Sequence, residues 1–276
     1  MTDRSVRAPS AESLGEAPGR GRLAGRRVLV VGGGQRTFDA ASDPIGNGRA
    51  MCRLFAREGA QVAVADKQRA SADETVALIA GEGGRAFAIE ADITREGDVQ
   101  RMIEEAARGL GALDGLVLNV GIGVGALGLA NTNLEAWDQT LAVNLRGPML
   151  CCKAALPALA DGSPIVFISS IAGLTSGSQL PAYDASKAAL AGLMRHVARE
   201  GAPRGIRANI VAPGLVDTPL GRVASAGRPS RARAATPFGR QATGWEIAYA
   251  ALFFVSGESV YVTAQLMAVD AGITGM

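Results

Sequence analysis

Short apolar segments alternate with helical segments along this chain from about residue 23 to its end. Seven apolar segments have the length and the branched side chains of buried strands: Arg27–Val31, Gln61–Ala65, Ala86–Glu90, Gly115–Leu118, Ile165–Ile168, Arg207–Val211 and Gln265–Val269. Strands that alternate with helices pair in parallel through right-handed crossovers. The pattern therefore predicts an α/β fold, a doubly wound parallel sheet of about seven strands with helices on both faces.

The chain has 276 residues, of which 48% are apolar, and this size suits one such domain. Residues 1–22 are rich in Pro, Gly, Ser and charge and lack the apolar core of a signal peptide. We expect a disordered extension over 1–22 and a single domain over 23–276. No apolar segment is long enough to span a membrane, so no membrane partner is expected.

Charge and cysteine content exclude several function classes. A net charge of +2 argues against a nucleic-acid surface. Cys52, Cys151 and Cys152 have neither a disulfide framework nor a metal-ligand spacing, so they are predicted to be core residues of a cytoplasmic protein with no metal. The single histidine, His196, is predicted to be a surface or core residue and not a catalytic one.

Tyr183 and Lys187 are spaced four residues apart, so on a helix they share one face. Lysine is rare in this chain, with three against twenty-five arginines. A fixed ammonium favours the phenolate, so it would bring a tyrosine pKa of about 10 closer to neutrality, where the hydroxyl can exchange a proton with an alcohol or carbonyl. From these two residues alone, a solvated helix pair remains an alternative.

A serine follows the predicted strand Ile165–Ile168. Ser170 is placed at the carboxyl end of this strand, thirteen residues before Tyr183. Open α/β sheets bind their ligands at the carboxyl ends of their strands. Ser170 is therefore expected near Tyr183.

These residues resemble those of the short-chain dehydrogenase/reductase family, which has a Rossmann-type sheet and a Tyr-x-x-x-Lys motif preceded by a serine. The resemblance covers the chain from about Leu23. It implies that Tyr183 gives or takes the proton, that Ser170 holds the substrate oxygen, and that Lys187 lowers the tyrosine pKa and binds the nicotinamide ribose. The family's fourth member, an asparagine that anchors a water relay, matches Asn144.

The cofactor loop departs from the family pattern. The family has Gly-x-x-x-Gly-x-Gly after the first strand, whereas here Gly32 is followed by Gly46 and Gly48 only after an insertion of about ten residues, Gln35–Pro44. Either the insertion bulges outward and the three glycines keep the phosphate cradle, or the loop is remodelled and dinucleotide affinity is altered. Intact strand and helix signals on both flanks favour the first interpretation.

The helix after this insertion is predicted to start at Asp43-Pro44. Aspartate is a good N-cap and proline fits the first helical position. The Asp43 carboxylate is accordingly expected to face the helix amides. Helical character continues from Ala50 to Arg57, and Gly59 is the expected stop.

The end of the second strand bears on the choice between NAD and NADP. Asp66 is placed where the adenosine ribose is expected, and its carboxylate would accept a hydrogen bond from a 2′-hydroxyl but repel a 2′-phosphate. NAD(H) is therefore the predicted cofactor. Lys67 and Arg69 could partly offset that repulsion, so NADP(H) remains the less favoured alternative.

The resemblance also assigns further dinucleotide contacts. Asp92 and Ile93 follow the third strand at the adenine position, and Asn119 and Gly121 correspond to the end of the family's Asn-Asn-Ala-Gly motif. The segment that follows the sixth strand supplies the remaining expected contacts on the nicotinamide side: Pro213, Gly214, Val216 and Thr218.

Residues 217–237 are placed where the family has a mobile substrate lid. The segment Pro219–Pro237 contains four arginines and no acid: Arg222, Arg228, Arg231 and Arg233. These arginines either attract an anionic substrate or carrier thioester, or simply face solvent, and solvation is the usual case for a charge run. The glycine-rich stretch 121–125 and the segment 177–180 offer little bulk near Tyr183, so the pocket is expected to admit a sizeable cyclic or hydrophobic ketone.

The carboxyl-terminal apolar segments, Ala250–Val255 and Val262–Asp270, resemble the family's subunit-contact region, which implies a homotetramer or homodimer. Ala264 and Ala271 stand where family members often have glycine.

The combined prediction is an NAD(H)-dependent oxidoreductase that interconverts a secondary alcohol and a ketone. Two alternatives remain, an NADP(H)-dependent 3-oxoacyl-carrier-protein ketoreductase and a non-catalytic dinucleotide-binding protein. Retention of all four catalytic positions argues against the second.

Overall fold

The computed structural model describes residues 9–39, 42–225 and 236–276. Seven parallel strands form the central sheet in the order β3-β2-β1-β4-β5-β6-β9, the doubly wound arrangement predicted from the sequence. Their bounds are β1 Arg27–Val31, β2 Gln61–Asp66, β3 Arg85–Glu90, β4 Gly115–Leu118, β5 Pro164–Ile168, β6 Arg207–Pro213 and β9 Leu266–Val269. Two further short strands, β7 Val216–Asp217 and β8 Ala242–Thr243, pair beside the main sheet.

The helices cover both faces of the sheet, because its central strands are apolar on both sides. In chain order they are α1 Ala11–Leu14, α2 Asn47–Arg57, α3 Arg69–Gly81, α4 Glu96–Leu110, α5 Leu134–Leu141, α6 Gly147–Ala155, α7 Pro181–Gly201, α8 Pro219–Ser225 and α9 Gly244–Val255. Apolar side chains of α4, α6 and α7 pack on one face, and those of α2, α3 and α9 pack on the other.

The three cysteines are buried free thiols in the apolar cores on the two faces of the sheet, as predicted. Burial raises the pKa of each thiol, so none is a ready nucleophile at neutral pH. His196 lies exposed on α7, with Nε2 3.5 Å from a carboxylate oxygen of Glu200. Among the described residues, no helix combines the length and hydropathy needed to cross a bilayer.

The amino-terminal segment differs from the disordered extension expected over 1–22. Residues 1–8 lie outside the described residues, but residues 9–22 pack along α2 and α9. The Ser13 hydroxyl donates to Glu246 Oε1 at 2.9 Å, and the Thr243 hydroxyl donates to the Ser13 carbonyl at 2.7 Å. Arg57 Nη1 donates to the Gly15 carbonyl at 2.6 Å. Composition suggested disorder, whereas these specific contacts with distant residues hold the segment in place.

Gly15 offers a direct test of this packing. It has a φ of +72°, and a Cβ there would lie 2.1 Å from the Trp245 ring, whereas a Cβ on Gly21 (φ +73°) would meet nothing within 4 Å. Both Gly→Ala changes carry a similar backbone cost, but only Gly15→Ala also overpacks an interface. We expect Gly15→Ala to lower the free energy of unfolding by about 2 kcal/mol more than Gly21→Ala.

Urea denaturation followed by tryptophan fluorescence measures this difference. Equal losses in the two variants would mean that the segment does not pack on Trp245 in solution.

Ala264 and Ala271 have φ values of +58° and +56°. Glycine adopts this left-handed conformation without steric cost, whereas each alanine carries a backbone cost of about 1 kcal/mol.

Candidate active site

Helix α7 brings Tyr183 and Lys187 together. Lys187 Nζ lies 5.7 Å from the Tyr183 ring centroid and donates to the carbonyl of Ile168, the last residue of β5, at 3.0 Å. The lysine is only 4% exposed, and burial lowers its pKa from 10.5 to about 8. Near neutral pH it is still mainly an ammonium, fixed beside the tyrosine at the carboxyl end of the sheet.

Ser170 follows β5 and caps the short 3₁₀ turn Ile171–Gly173, where its Oγ accepts from the Ala172 amide at 3.2 Å. The preceding hydroxyl, Ser169 Oγ, donates to the Lys187 carbonyl at 2.9 Å. A Cβ on Gly173 would lie 2.7 Å from the Lys187 backbone, so this turn packs directly on α7. The structure therefore holds the end of β5 against the helix that carries Tyr183.

Asn144 lies in a π-helical stretch, Ala142–Arg146, between α5 and α6, where its side chain is fully buried. Its Oδ1 accepts from the Ile122 amide and its Nδ2 donates to the Ile122 carbonyl, both at 2.8 Å. Asn144 Nδ2 also donates to Ser186 Oγ at 3.0 Å, and that hydroxyl donates to the Tyr183 carbonyl at 2.8 Å.

Ser186 was not singled out from the sequence. It is the third residue after Tyr183 and so lies on the same side of the helix, which is the signal that could have identified it. Through this hydroxyl, Asn144 is connected to the backbone of Tyr183.

Glycines form a cradle between β1 and α2. Gly32 has a φ of +82°, and its carbonyl accepts from Asn119 Nδ2 at 2.8 Å. A Cβ on Gly48 would lie 1.9 Å from that carbonyl, so only glycine lets α2 approach so closely. Gly46 is the N-cap residue and has no side chain to cap the helix, which leaves the first-turn amides suited to an anion. The cradle fits the pyrophosphate of a dinucleotide.

The predicted helix start at Asp43-Pro44 is wrong, because α2 begins at Asn47. Asp43 Oδ2 accepts instead from the amides of Phe38 and Asp39, at 2.7 and 2.9 Å. The carboxylate closes a turn inside the insertion, so it does not face the helix amides as expected. The predicted end of the helix is confirmed, with the last helical residue at Arg57 and Gly59 at φ +96°.

Asp66, at the end of β2, accepts from the Gly34 amide at 3.1 Å through Oδ2 and from the Gln68 amide at 3.0 Å through Oδ1. Lys67 Nζ is 2.8 Å from Asp92 Oδ2. Although burial opposes the change, Lys67 and the hydroxyl and amide of Thr94 lower the pKa of Asp92 to about 2. Both expected adenosine-side acids are therefore held by contacts within the chain.

The expected nicotinamide-side contacts lie on neighbouring elements. Val216 and Thr218 are buried at and just after β7, while Pro213 ends β6 and the Gly214 amide donates to the Val269 carbonyl of β9 at 2.9 Å. Gly121 lies next to the ammonium of Lys187, since a Cβ there would lie 3.0 Å from Lys187 Nζ.

Ile93 is buried in the apolar core that α4, α6 and α7 form with the sheet, where it packs against Gly147. Of the four arginines in the expected lid, Arg222 lies in α8, whereas Arg228, Arg231 and Arg233 are outside the described residues.

A tyrosine beside a buried lysine, a serine at a strand end and a glycine cradle at a helix amino end together define a nicotinamide-dinucleotide-dependent oxidoreductase. Residues 41–274 match the family described as Enoyl-(Acyl carrier protein) reductase. The chain belongs to the short-chain dehydrogenase/reductase family, as the sequence predicted. It is a short-chain alcohol dehydrogenase or ketoreductase that acts on CH–OH groups.

Relatives in this family cover nearly all of the chain. It is 34% identical to 2-(S)-hydroxypropyl-CoM dehydrogenase 3 of Xanthobacter autotrophicus, over 92% of this chain and 99% of the relative. It is 37% identical to cis-4-hydroxycyclohexanecarboxylate dehydrogenase of Sinomonas cyclohexanicum, over 93% and 100% of the two chains.

A solved short-chain dehydrogenase from Burkholderia cenocepacia in complex with NADP superposes with a TM-score of 0.81. The sequence identity is 32%, over 91% of this chain and 98% of the other.

Proposed function

We propose that this protein catalyses NAD(H)-dependent interconversion of a secondary alcohol and a ketone, with Tyr183 as the general acid and base. The observation that carries the proposal is the buried ammonium of Lys187 beside the Tyr183 ring. Gly32, Gly46 and Gly48 would hold the pyrophosphate, and Asp66 the adenosine ribose. The bound dinucleotide would supply the hydride acceptor or donor.

The chain's own residues would bind the substrate oxygen and transfer the proton. Ser170 would donate a hydrogen bond to that oxygen while the Tyr183 hydroxyl gives or takes the proton. The Lys187 charge favours the phenolate because it is held in place at low exposure. Asn144 binds the Ile122 backbone and the Ser186 hydroxyl, and that hydroxyl binds the Tyr183 carbonyl. These bonds would help to fix the position of Tyr183.

Charge pairing near Asp66 supports NAD over NADP. Two basic residues that follow Asp66 and could neutralise a 2′-phosphate are engaged elsewhere, Lys67 with Asp92 and Arg69 with Asp73 at 3.0 Å. We expect kcat/KM for NAD to exceed that for NADP by at least tenfold, about 1.4 kcal/mol of transition-state free energy. Asp66→Ser should reduce this ratio at least fivefold by removing the repulsive carboxylate.

Initial rates with both cofactors measure the ratio, and Asp161→Ser is a control that removes an exposed, ion-paired acid from the segment before β5. A wild-type preference for NADP would overturn the cofactor assignment.

Residues with little side-chain bulk beside Tyr183 support a carbocyclic substrate. Gly123 lies against Tyr183 and Leu180, and a Cβ at this glycine would come within 3.4 and 3.1 Å of those side chains. A panel of cyclic and linear secondary alcohols and ketones, run in both directions, tests the function. We expect cyclic compounds to be preferred. The absence of dinucleotide-linked turnover across the panel would count against the proposed reaction.

A carrier-protein ketoreductase is the second candidate, supported by the acyl-carrier-protein description of the matched family. Arg222, the described arginine of the expected lid, is ion-paired with Asp217 at 2.7 Å, so it is not a free anion site. Turnover of an acetoacetyl thioester that exceeds turnover of cyclic ketones would favour this candidate.

We also propose a homotetramer or homodimer located in the cytoplasm. Exposed apolar side chains near the carboxyl terminus, Val260, Tyr261 and Met276, support an assembly surface. The three free cysteines support a reducing compartment. Light scattering at micromolar concentration tests the assembly, which a stable monomer would exclude.

A further inference from the structure

The inserted loop, defined here as residues 35–39 and 42–44, is attached at one end beside the proposed adenosine site. Gln35 N donates to Ser71 Oγ at 2.6 Å, and that hydroxyl donates back to the Gln35 carbonyl at 2.8 Å. Gln35 Oε1 accepts from the Gly46 amide at 2.7 Å. These contacts tie the loop to α3 and to the amino end of α2.

The far end of the loop is attached to α8. Arg222 Nη1 donates to the Ser42 carbonyl at 2.7 Å, while Nε and Nη2 of the same guanidinium bind Asp217 at 2.7 and 3.0 Å. Asp217 immediately precedes Thr218, one of the proposed nicotinamide-side contacts. One guanidinium therefore connects the insertion to β7, next to a proposed nicotinamide-side residue.

One attachment is on the proposed adenosine side of the dinucleotide site, and the other is on its proposed nicotinamide side. One is next to Asp66, whose carboxylate accepts from Gly34, and the other is next to Thr218. Gly32 and Gly48 of the glycine cradle flank the inserted loop in the chain. The loop also has its own internal support, because the Ser42 hydroxyl donates to Asp39 Oδ2 at 2.5 Å.

We propose that Arg222 is a positioning residue that fastens the inserted loop to α8 across the dinucleotide cleft, so that the loop retains the bound cofactor. This inference rests on the proposed binding of a dinucleotide at the glycine cradle. Exchange of the dinucleotide would require the Arg222 to Ser42 contact to open. Each contact is exposed and individually weak, so the fastening is reversible on the time scale of turnover.

The surrounding charges favour this arrangement. Hydrogen bonding to Asp217 raises the pKa of Arg222, and the carboxylates of Asp43 and Asp39 contribute in the same direction. Both of the latter acids belong to the inserted loop. The loop thus presents negative charge to the guanidinium that holds it.

Release of NADH tests the proposal. Enzyme loaded with NADH is mixed with excess NAD in a stopped-flow instrument, and nicotinamide fluorescence reports the dissociation rate. We expect Arg222→Met to release NADH five- to twentyfold faster than the wild type. Arg222→Lys, which keeps the charge but not the planar fork, should fall between them. Arg101→Met, which removes an ion-paired arginine from the surface of α4, should stay within twofold of the wild type.

A second measurement separates fastening from chemistry. The single-turnover rate of hydride transfer in Arg222→Met should stay within threefold of the wild type, because Arg222 is not assigned to the reacting groups. Release rates within twofold of the wild type for both Arg222 variants would overturn the proposal while leaving the proposed function intact. Failure of the wild type to bind NADH or NAD would instead count against the proposed function itself.

Discussion

Tyr183→Phe should lower kcat by roughly 10³-fold while leaving dinucleotide affinity within about threefold of the wild type. The change removes only the hydroxyl that exchanges the proton with substrate. The ring would keep its place against Gly123 and below the Lys187 ammonium. The dinucleotide contacts proposed at the glycine cradle and Asp66 are untouched, which is why binding and turnover should separate.

Steady-state kinetics and NADH fluorescence titration measure the two quantities on the same preparation. Tyr261→Phe is the matched control, because Tyr261 is fully exposed and its hydroxyl plays no part in the site. It should retain wild-type turnover. Residual activity above one tenth of wild type in Tyr183→Phe would contradict the assigned role of the tyrosine.

Lys187→Met should abolish turnover and yet stabilise the ligand-free protein at neutral pH. The Lys187 pKa is lowered by burial from 10.5 to about 8, so the unfolded chain binds the proton more tightly than the folded one. The destabilising effect is fully present below pH 8, and it is relieved as the pH rises toward 10.5. A pKa shift of this size means that the buried ammonium destabilises the fold by roughly 3 kcal/mol. The substitution also removes the hydrogen bond to Ile168, which offsets about 1 kcal/mol of the expected gain in stability.

Thermal unfolding at two pH values checks the sign. We expect the melting temperature of Lys187→Met to exceed that of the wild type by several degrees at pH 7, and the difference to shrink or reverse near pH 10. Lys153→Met is the control, because Lys153 is exposed and pairs with Glu96 on the surface. A larger advantage for Lys187→Met at pH 10 than at pH 7 would show that burial of the ammonium does not destabilise the fold.

Elements with strong periodicity were predictable from the sequence. All seven strands of the central sheet appear within two residues of their predicted ends, since each is an apolar run bounded by turn residues. The positions of Tyr183 and Lys187 on one helix and of Ser170 at a strand end follow from spacing alone. The packing that orients them does not, because the bonds of Asn144 to Ile122 and Ser186 join segments far apart in the chain.

The two errors have a common physical origin. Asp43-Pro44 has the composition of a helix start, but its carboxylate is used by amides within the same loop. Residues 9–22 have the composition of a disordered tail, but Glu246 and Trp245 supply specific partners for them. Local composition describes what a segment prefers alone, whereas tertiary contacts decided both cases.

The docked amino-terminal segment also constrains the order in which the chain can fold during synthesis. Ser13 is separated from its partner Glu246 by 233 residues. At about 5–20 residues per second, a ribosome takes roughly 10–50 s to bridge this interval. Ser13 is therefore synthesised well before its partner, and the segment 9–22 can dock only after the chain has been extended through Glu246.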